Sequence, residues 1–145
     1  MAVRIVLADD SQQYRSVVRA LLEKQPGIQV VAGVANGNDA MTAALQWNPE
    51  VIIMDVTMPR LDGIEATRRI LVQQPDARVL ALSSHREARF VTAMLDAGAR
   101  GYVLKEDEFA ELLQAIREVV AGRTYLSPAV RPTRDSSKPA ADEAP

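Results

Sequence analysis

The stretch Val51-Ile52-Ile53-Met54-Asp55 decides the fold class, because four apolar residues in a row end on a carboxylate. Continuous apolar runs of this length, rich in Val and Ile, are typical of strands buried on both faces of a parallel sheet. The preceding Asn48-Pro49 is a turn signal and marks where the run begins. The sequence therefore predicts a central strand with an aspartate at its carboxyl end.

Similar short apolar runs recur along the chain. Turn-forming residues separate them at intervals of roughly 24 residues, about the length of one strand, one helix and two short loops. The other four predicted strands are Val3–Ala8, Ile28–Ala35, Val79–Leu82 and Gly101–Leu104.

A helical pattern follows each of these runs. After the first run, apolar residues recur at i, i+3, i+4, i+7 and i+8 from Tyr14 to Leu22, and the last run is followed by a similar stripe from Phe109 to Val120. Between them the sequence predicts helices over 39–47, 64–73 and 87–97, the first with Asn38 or Asp39 near its N-cap and the third stopped by Gly98.

Five strand–helix units in series predict a parallel sheet with right-handed crossovers and helices on both faces. The strand order expected for five such units is 2-1-3-4-5, a flavodoxin-like (βα)5 fold. The pattern stops near Leu126, so residues 1–126 are predicted to form one domain. Residues 127–145 are rich in Pro, Ala and Ser and are predicted to be a flexible linker or tail.

Length and composition exclude several classes of protein. The 145 residues suffice for one domain, and the net charge of −2 gives no sign of nucleic-acid binding. The absence of cysteine excludes disulfides, thiolate nucleophiles and zinc–cysteine sites. The amino terminus lacks the features of a signal peptide, and no apolar run approaches the ~20 residues that span a bilayer. A cytoplasmic protein is expected.

Polar residues follow four of the five predicted strands. The first strand ends in Asp9-Asp10, the third in Asp55, the fourth in Ser83 and the fifth in Lys105. In an open α/β sheet, ligands bind beyond the carboxyl ends of the strands. Three carboxylates, a hydroxyl and an ammonium are therefore expected to converge on one edge of the sheet.

This set of groups suits phosphoryl transfer. Carboxylates ~4 Å apart repel by a few kcal/mol at an intermediate dielectric, so either one is protonated or a cation binds. Hard oxygen ligands of this number suit Mg²⁺. Lys105 can neutralise a phosphoryl oxygen, and an aspartate carboxylate such as Asp55 is an accepted nucleophile that forms an acyl phosphate.

Each residue taken alone has an ordinary structural explanation. Asp9-Asp10 could cap a helix, Asp55 and Ser83 could be turn residues, and Lys105 could be a solvated charge. Their joint placement at strand ends is what favours a reactive site. The single histidine, His85, is expected to cap or line a surface loop, and Tyr102 is expected from its spacing to pack at the sheet edge.

Several longer motifs surround these residues: Asp9-Asp10, Asp55-Val56-Thr57-Met58-Pro59, Asp62-Gly63, Leu82-Ser83-Ser84-His85 and Gly98-Ala99-Arg100-Gly101-Tyr102-Val103-Leu104-Lys105. With these motifs the chain resembles, from about Val3 to Leu126, the receiver domains of two-component response regulators. The Gly98–Lys105 motif and the ending Gly122-Arg123-Thr124-Tyr125-Leu126-Ser127-Pro128 are similar to the NarL/LuxR-type subfamily.

The resemblance implies a role for each acidic residue and for Lys105. Asp55 would be the phosphoacceptor. Asp10 and Asp55 would bind Mg²⁺ directly, Asp9 mainly through water, and Thr57 through its backbone carbonyl. Lys105 would pair with a phosphoryl oxygen. The protein would be a phosphoacceptor switch rather than an enzyme, with only self-catalysed phosphotransfer and slow autodephosphorylation.

The resemblance also implies partners and a readout. The phosphodonor would be a phosphohistidine on a sensor histidine kinase. Ser83 would move to bond the phosphoryl group and Tyr102 would then turn inward. The face formed by helix 4, strand 5 and helix 5 would carry the signal, often through a homodimer that forms on phosphorylation.

The sequence departs from the family pattern in two places. Many receivers carry proline after the lysine, whereas this chain has Glu106, as is common in the NarL/LuxR-type branch. That branch usually continues into a helix-turn-helix DNA-binding domain, whereas this chain ends in a Pro/Ala-rich segment. Either the sequence is cut within a linker or the protein is a stand-alone receiver. DNA contact is expected only through such a further domain, and no membrane contact is expected.

Two alternatives from other functional classes stay open. A small Mg²⁺-dependent phosphatase with an aspartyl nucleophile would need a second carboxylate two residues after Asp55, where this chain has Thr57. A stand-alone receiver acting purely by protein–protein interaction would not need the full set of reactive residues that this chain retains.

Overall fold

A computed structural model describes residues 2–132 of the chain. The described residues form six strands, five α-helices and one short 3₁₀-helix, Pro128–Val130. The strands are β1 (Val3–Ala8), β2 (Ile28–Val34), β3 (Val51–Met54), β4 (Val79–Ser83), β5 (Gly101–Leu104) and β6 (Tyr125–Leu126). The helices are α1 (Gln12–Glu23), α2 (Gly37–Trp47), α3 (Gly63–Gln73), α4 (Ala88–Asp96) and α5 (Phe109–Val120).

Within the described residues the strands form one parallel sheet in the order β2-β1-β3-β4-β5-β6. The predicted parallel α/β class and the order of the first five strands are confirmed. The predicted number of five strands is wrong, because Tyr125 and Leu126 pair with Gly101 and Tyr102 and add a sixth. A two-residue strand is too short to show a period in the sequence, and only its pairing with β5 defines it.

Helices cover both faces of the sheet, as expected for this class. On one face, buried side chains of α2, α3 and α4, such as Ala44, Ile70 and Met94, pack on the sheet. On the other face, α1 and α5 contribute residues such as Leu22 and Ile116. Strands β3, β4 and β5 are buried along their whole length, because each lies between two other strands and two helical layers.

The start of α2 differs from the prediction. Asn36 caps this helix: its side-chain oxygen accepts from the Asp39 N–H at 2.9 Å, whereas the sequence predicted Asn38 or Asp39 at the cap. The apolar stripe begins late in this helix, so periodicity placed the start two residues too far along. Ser11 and Asp62 cap α1 and α3 in the same manner.

The predicted linker, residues 127–145, lies partly within the described residues. Ser127 is fully buried, the short 3₁₀-helix follows it, and residues 133–145 lie outside the described part of the chain. Every helix between residues 2 and 132 is too short or too polar to cross a membrane.

Candidate phosphoacceptor and metal site

The strand register brings the predicted site residues together at the carboxyl edge of the sheet. Ala8 pairs with Met54, so Asp9 and Asp55 leave adjacent strands at the same level. Ser83 pairs with Leu104, so Lys105 emerges next to Ser83. Backbone bonds continue the ladder: the Asp55 N–H donates to the Ala8 carbonyl and the Lys105 N–H to the Ser83 carbonyl, both at 2.9 Å.

Three carboxylates form an acidic cluster at this edge. Asp9, Asp10 and Asp55 each offer one oxygen, and these oxygens lie within 4.8 Å of one another. Asp9 and Asp55 are 2% and 4% exposed, whereas Asp10 is open to solvent. Oxygen donors from two buried carboxylates and one exposed one, with room for water on the open side, fit the preferences of Mg²⁺.

Lys105 partly neutralises the cluster. Its Nζ lies 2.6 Å from Oδ2 of Asp9 and 3.1 Å from Oδ2 of Asp55. The same ammonium stands 4.6 Å from the centre of the Tyr14 ring, which limits where the lysine chain can go and adds a cation–π attraction. The other oxygen of Asp9, Oδ1, accepts from the Ser11 N–H at 2.8 Å. The Lys105 ammonium therefore forms ion pairs with two buried carboxylates.

The balance of charge at Asp55 is unfavourable. Burial raises the pKa of Asp55, and repulsion by Asp9 and Asp10 adds to this against the opposing pull of Lys105. Burial lowers the pKa of Lys105, but its hydrogen bond to Asp9 and the charges of both buried carboxylates outweigh that, so the net shift is upward. A further cation at this edge would relieve the excess negative charge.

Gly63 is a site residue to which the sequence assigned no role, although it stood in a quoted motif. A Cβ at Gly63 would lie 1.8 Å from the Asp55 carbonyl oxygen, and the Gly63 N–H donates to the Val56 carbonyl at 2.8 Å. The loop after β3 thus folds back directly onto the Asp55 backbone. Only a residue without a side chain permits this approach.

Ser83 and Tyr102 both bond to the backbone of the loop after β4. Oγ of Ser83 accepts from the His85 N–H at 3.0 Å, and the Tyr102 hydroxyl donates to the His85 carbonyl at 2.6 Å. Both side chains are fully buried. The expected position of Tyr102 at the sheet edge is not observed, because β6 lies outside β5 and makes β5 an interior strand.

Thr57 and His85 lie at the solvent side of the same edge. Thr57 is exposed, and its Oγ1 lies 3.4 Å from Nε2 of His85. The His85 ring stacks on Phe90 at the start of α4, with ring centres 4.2 Å apart. His85 therefore lines the loop between β4 and α4. Glu106, which follows Lys105, forms an ion pair with Arg86 of that loop.

Comparison with known proteins agrees with this geometry. The family described as the response regulator receiver domain matches residues 5–117. The transcriptional regulatory protein DegU of Brevibacillus brevis is 40% identical over 128 residues, which cover 88% of this chain and 54% of that protein. The response regulator GacA of Pseudomonas viridiflava is 39% identical, with 88% and 60% covered. This chain thus spans less than two thirds of the length of these curated relatives.

A solved structure is similar over nearly its whole length. The two-component response regulator of the LuxR family from Aurantimonas sp. SI85-9A1 superposes with a TM-score of 0.87 at 39% sequence identity. The match covers 90% of this chain and 93% of that one.

Proposed function

This chain belongs to the response regulator receiver domain family, and on that premise we propose that it accepts a phosphoryl group on Asp55 in a Mg²⁺-dependent reaction. The resemblance to NarL/LuxR-type response regulators that its motifs suggested is confirmed by its relatives. The donor we propose is a phosphohistidine of a sensor histidine kinase. One observation carries the proposal: a buried aspartate shares a single lysine with a second buried carboxylate.

The proposed phosphoryl transfer to Asp55 requires only a positioned nucleophile and neutralisation of charge. An oxygen of ionised Asp55 attacks the donor's phosphorus, a new P–O bond forms, and the P–N bond to the donor imidazole breaks with its electron pair leaving on nitrogen. Lys105 stays protonated, holds the carboxylate in place and stabilises negative charge on the phosphoryl oxygens. Mg²⁺, held by Asp9, Asp10 and Asp55 with the Thr57 carbonyl, would supply the remaining charge neutralisation.

The readout we propose runs through Ser83 and Tyr102. The Ser83 hydroxyl would turn toward the phosphoryl oxygens, and Tyr102 would report the change to the face of α4, β5 and α5. The Tyr102 side chain is buried and its hydroxyl donates to the His85 carbonyl, so a shift of the loop after β4 would change the contacts of Tyr102. Typical couplings of ~1–3 kcal/mol shift such a population only partly, and a homodimer formed on phosphorylation would add to it.

The output is proposed by analogy with the relatives. Residues 1–126 would form the receiver, and the segment that follows would connect it to a transcriptional output, with any DNA contact made by a further domain. The alternative of a small phosphatase lacks support at Thr57, which carries a hydroxyl near His85 where that alternative needs a second carboxylate. Sustained turnover of a phosphomonoester would be needed to revive it.

A mass measurement tests the proposal. The chain is incubated with Mg²⁺ and acetyl phosphate and then weighed intact, beside Asp55→Asn and the control Asp76→Asn, whose carboxylate is exposed in the loop before β4. Wild type and Asp76→Asn should each gain one phosphoryl group, whereas Asp55→Asn and metal-chelated wild type should gain none. A gain that persists in Asp55→Asn would overturn the assignment.

A further inference from the structure

Lys105 lies on the loop between β5 and α5, and this loop is held from two sides. On the side of β4, the Lys105 N–H donates to the Ser83 carbonyl at 2.9 Å. On the other side lies β6, whose last residue, Leu126, pairs with Tyr102. The position of the Lys105 ammonium therefore depends on strands that flank β5 on both edges.

Asp107 connects this loop to the segment after β6. Its Oδ2 accepts two hydrogen bonds, from the Leu104 N–H at 3.1 Å and from the Ser127 hydroxyl at 2.6 Å. Its own N–H donates to the Leu104 carbonyl at 3.0 Å. Asp107 thus closes a tight turn around Lys105, and Ser127 holds the carboxylate that closes it.

Ser127 directs both of its hydrogen-bond donors at β5 and the loop that follows it. The N–H donates to the Tyr102 carbonyl at 2.9 Å, the hydroxyl donates to Asp107, and the side chain is fully buried. A hydrogen bond to a carboxylate is about twice as strong as a neutral one, and its loss leaves a partly desolvated anion short of a donor. Truncation of Ser127 should therefore loosen the turn that carries Lys105.

We propose that Asp107 and Ser127 are positioning residues for phosphotransfer, which act by fixing the loop that places Lys105 against Asp55. The proposal rests on the function proposed above, since it assigns residues to that reaction. Because Ser127 acts through Asp107, displacement of Ser127 would alter the phosphotransfer rate without any contact between Ser127 and the reacting atoms.

The test compares rates of phosphoryl incorporation from acetyl phosphate with Mg²⁺ in the full chain. Misplacement of a reacting group by about 1 Å can cost up to about 100-fold, so we expect Ser127→Ala and Asp107→Ala each to slow incorporation by about tenfold. The matched control is Tyr125→Phe on β6, two residues before Ser127, which removes the hydroxyl contact with Glu111 of α5 but leaves the Lys105 loop untouched. That variant should react at the wild-type rate.

Further variants separate positioning from general destabilisation. The double variant Ser127→Ala/Asp107→Ala should be no slower than the slower single variant, because both changes remove the hydrogen bond between Ser127 and Asp107. Ser127→Thr, which keeps the hydroxyl, should restore most of the rate, whereas Ser127→Val should not. In a Lys105→Met background, Ser127→Ala should slow the reaction no further. Unfolding by urea, measured for every variant, shows that each is folded under the assay conditions.

The outcomes distinguish this proposal from the one it rests on. If wild type takes up no phosphoryl group, the proposed function itself fails. If wild type is phosphorylated and Ser127→Ala reacts as fast as wild type, or slows equally in the Lys105→Met background, the positioning role is overturned and the proposed function stands. Equal slowing in Ser127→Ala and Tyr125→Phe would likewise overturn it, because the effect would then come from loosening β6 in general.

Discussion

At the amino end of the sheet, the Arg4 guanidinium donates to the carbonyl oxygens of Trp47 at 2.6 Å and Asn48 at 3.2 Å, whereas at the carboxyl end two buried carboxylates face each other across one ammonium. Arg4 lies where α2 ends, and a cation near a helix carboxyl terminus is stabilising. The Arg4 N–H also donates to Oε1 of Glu50 at 2.7 Å. At this end, the cation meets backbone carbonyl oxygens at the negative end of a helix dipole.

The carboxyl end uses charge differently. The negative charge of the acidic cluster, Asp9, Asp10 and Asp55, exceeds what Lys105 can neutralise. Burial raises the pKa of Asp55, and repulsion by the other two carboxylates adds to this shift. Such an arrangement costs stability unless a cation joins it. This difference between the two ends supports the phosphoacceptor role proposed for the carboxyl end. If the two ends are separable, four substitutions should affect stability and phosphotransfer differently.

The largest effect is expected at Lys105. Replacing it with methionine removes the only cation within reach of both buried carboxylates in the described part of the chain. Loss of one such charge-stabilising group typically costs about 100-fold in rate or more. Incorporation of phosphate from acetyl phosphate, followed by intact mass over time, measures this. A rate within about threefold of the wild-type rate is too small an effect for a charge-stabilising group. Such a result would contradict the role assigned to Lys105.

Gly63→Ala should have the next largest effect, on stability. The added Cβ would meet the Asp55 carbonyl oxygen at 1.8 Å, so the loop after β3 must move. Overpacking of this kind costs about 2 kcal/mol. The control is Gly33→Ala, where the new Cβ would meet the Arg15 side chain at an ordinary 3.5 Å. Urea denaturation of both variants checks the difference, and equal stabilities would refute the close approach.

Arg4→Met should separate the two ends of the sheet. It removes two charge-assisted hydrogen bonds, to the last residue of α2 and to the Asn48 cap that follows it, and should lower the free energy of unfolding by about 1.5 kcal/mol. The rate of phosphoryl incorporation should stay at the wild-type value, because Arg4 lies at the far end of β1. Denaturation and mass spectrometry on the same sample measure both quantities. A loss of rate that matches the loss of stability would show that the ends are coupled.

The smallest effect is a pH-dependent gain of stability in Asp55→Asn. The folded-state pKa of Asp55 is raised, so its ionisation opposes folding above that pKa, and the penalty disappears as pH falls and the carboxyl is protonated in both states. Without metal, the variant should be more stable than wild type by about 1 kcal/mol at neutral pH. The difference should vanish near pH ~3, below the ordinary pKa of aspartate.

Added Mg²⁺ provides the control for this last comparison. A metal present at tenfold its dissociation constant stabilises the protein that binds it by about 1.4 kcal/mol. Wild type should therefore gain stability from Mg²⁺ and lose it again with a chelator, and Asp55→Asn should respond less. A variant that is less stable than wild type in metal-free buffer at neutral pH would contradict the charge balance described for the cluster.

The convergence of the site residues could be predicted from the sequence because these residues lie at or directly after the ends of strands. In a parallel sheet the carboxyl ends meet at one edge, so Asp9, Asp55 and Lys105 needed only the correct strands to be placed together. Strands β1, β3 and β5 begin and end where their apolar runs do. Periodic patterns and strand-end residues depend only on neighbouring positions in the sequence. The elements that they predicted are present in the structure.

Contacts between distant segments could not be predicted in this way. Strand β6 has two residues, and only its pairing with β5 makes it a strand. Tyr102 was expected at the sheet edge because the sequence of β5 does not indicate that a further strand, β6, pairs with it. The approach of Gly63 to the Asp55 carbonyl depends on how the loop after β3 folds back. The sequence identifies the glycine but does not predict this contact.

The location of the phosphoryl group tests the central claim most directly. The chain is incubated with Mg²⁺ and acetyl phosphate and then treated with borohydride, which reduces an aspartyl phosphate to homoserine, and peptides are sequenced by mass spectrometry. We expect homoserine at position 55 and unchanged aspartate at positions 9 and 10. Phosphate on His85, or reduction at Asp9 or Asp10 with residue 55 unchanged, would contradict it.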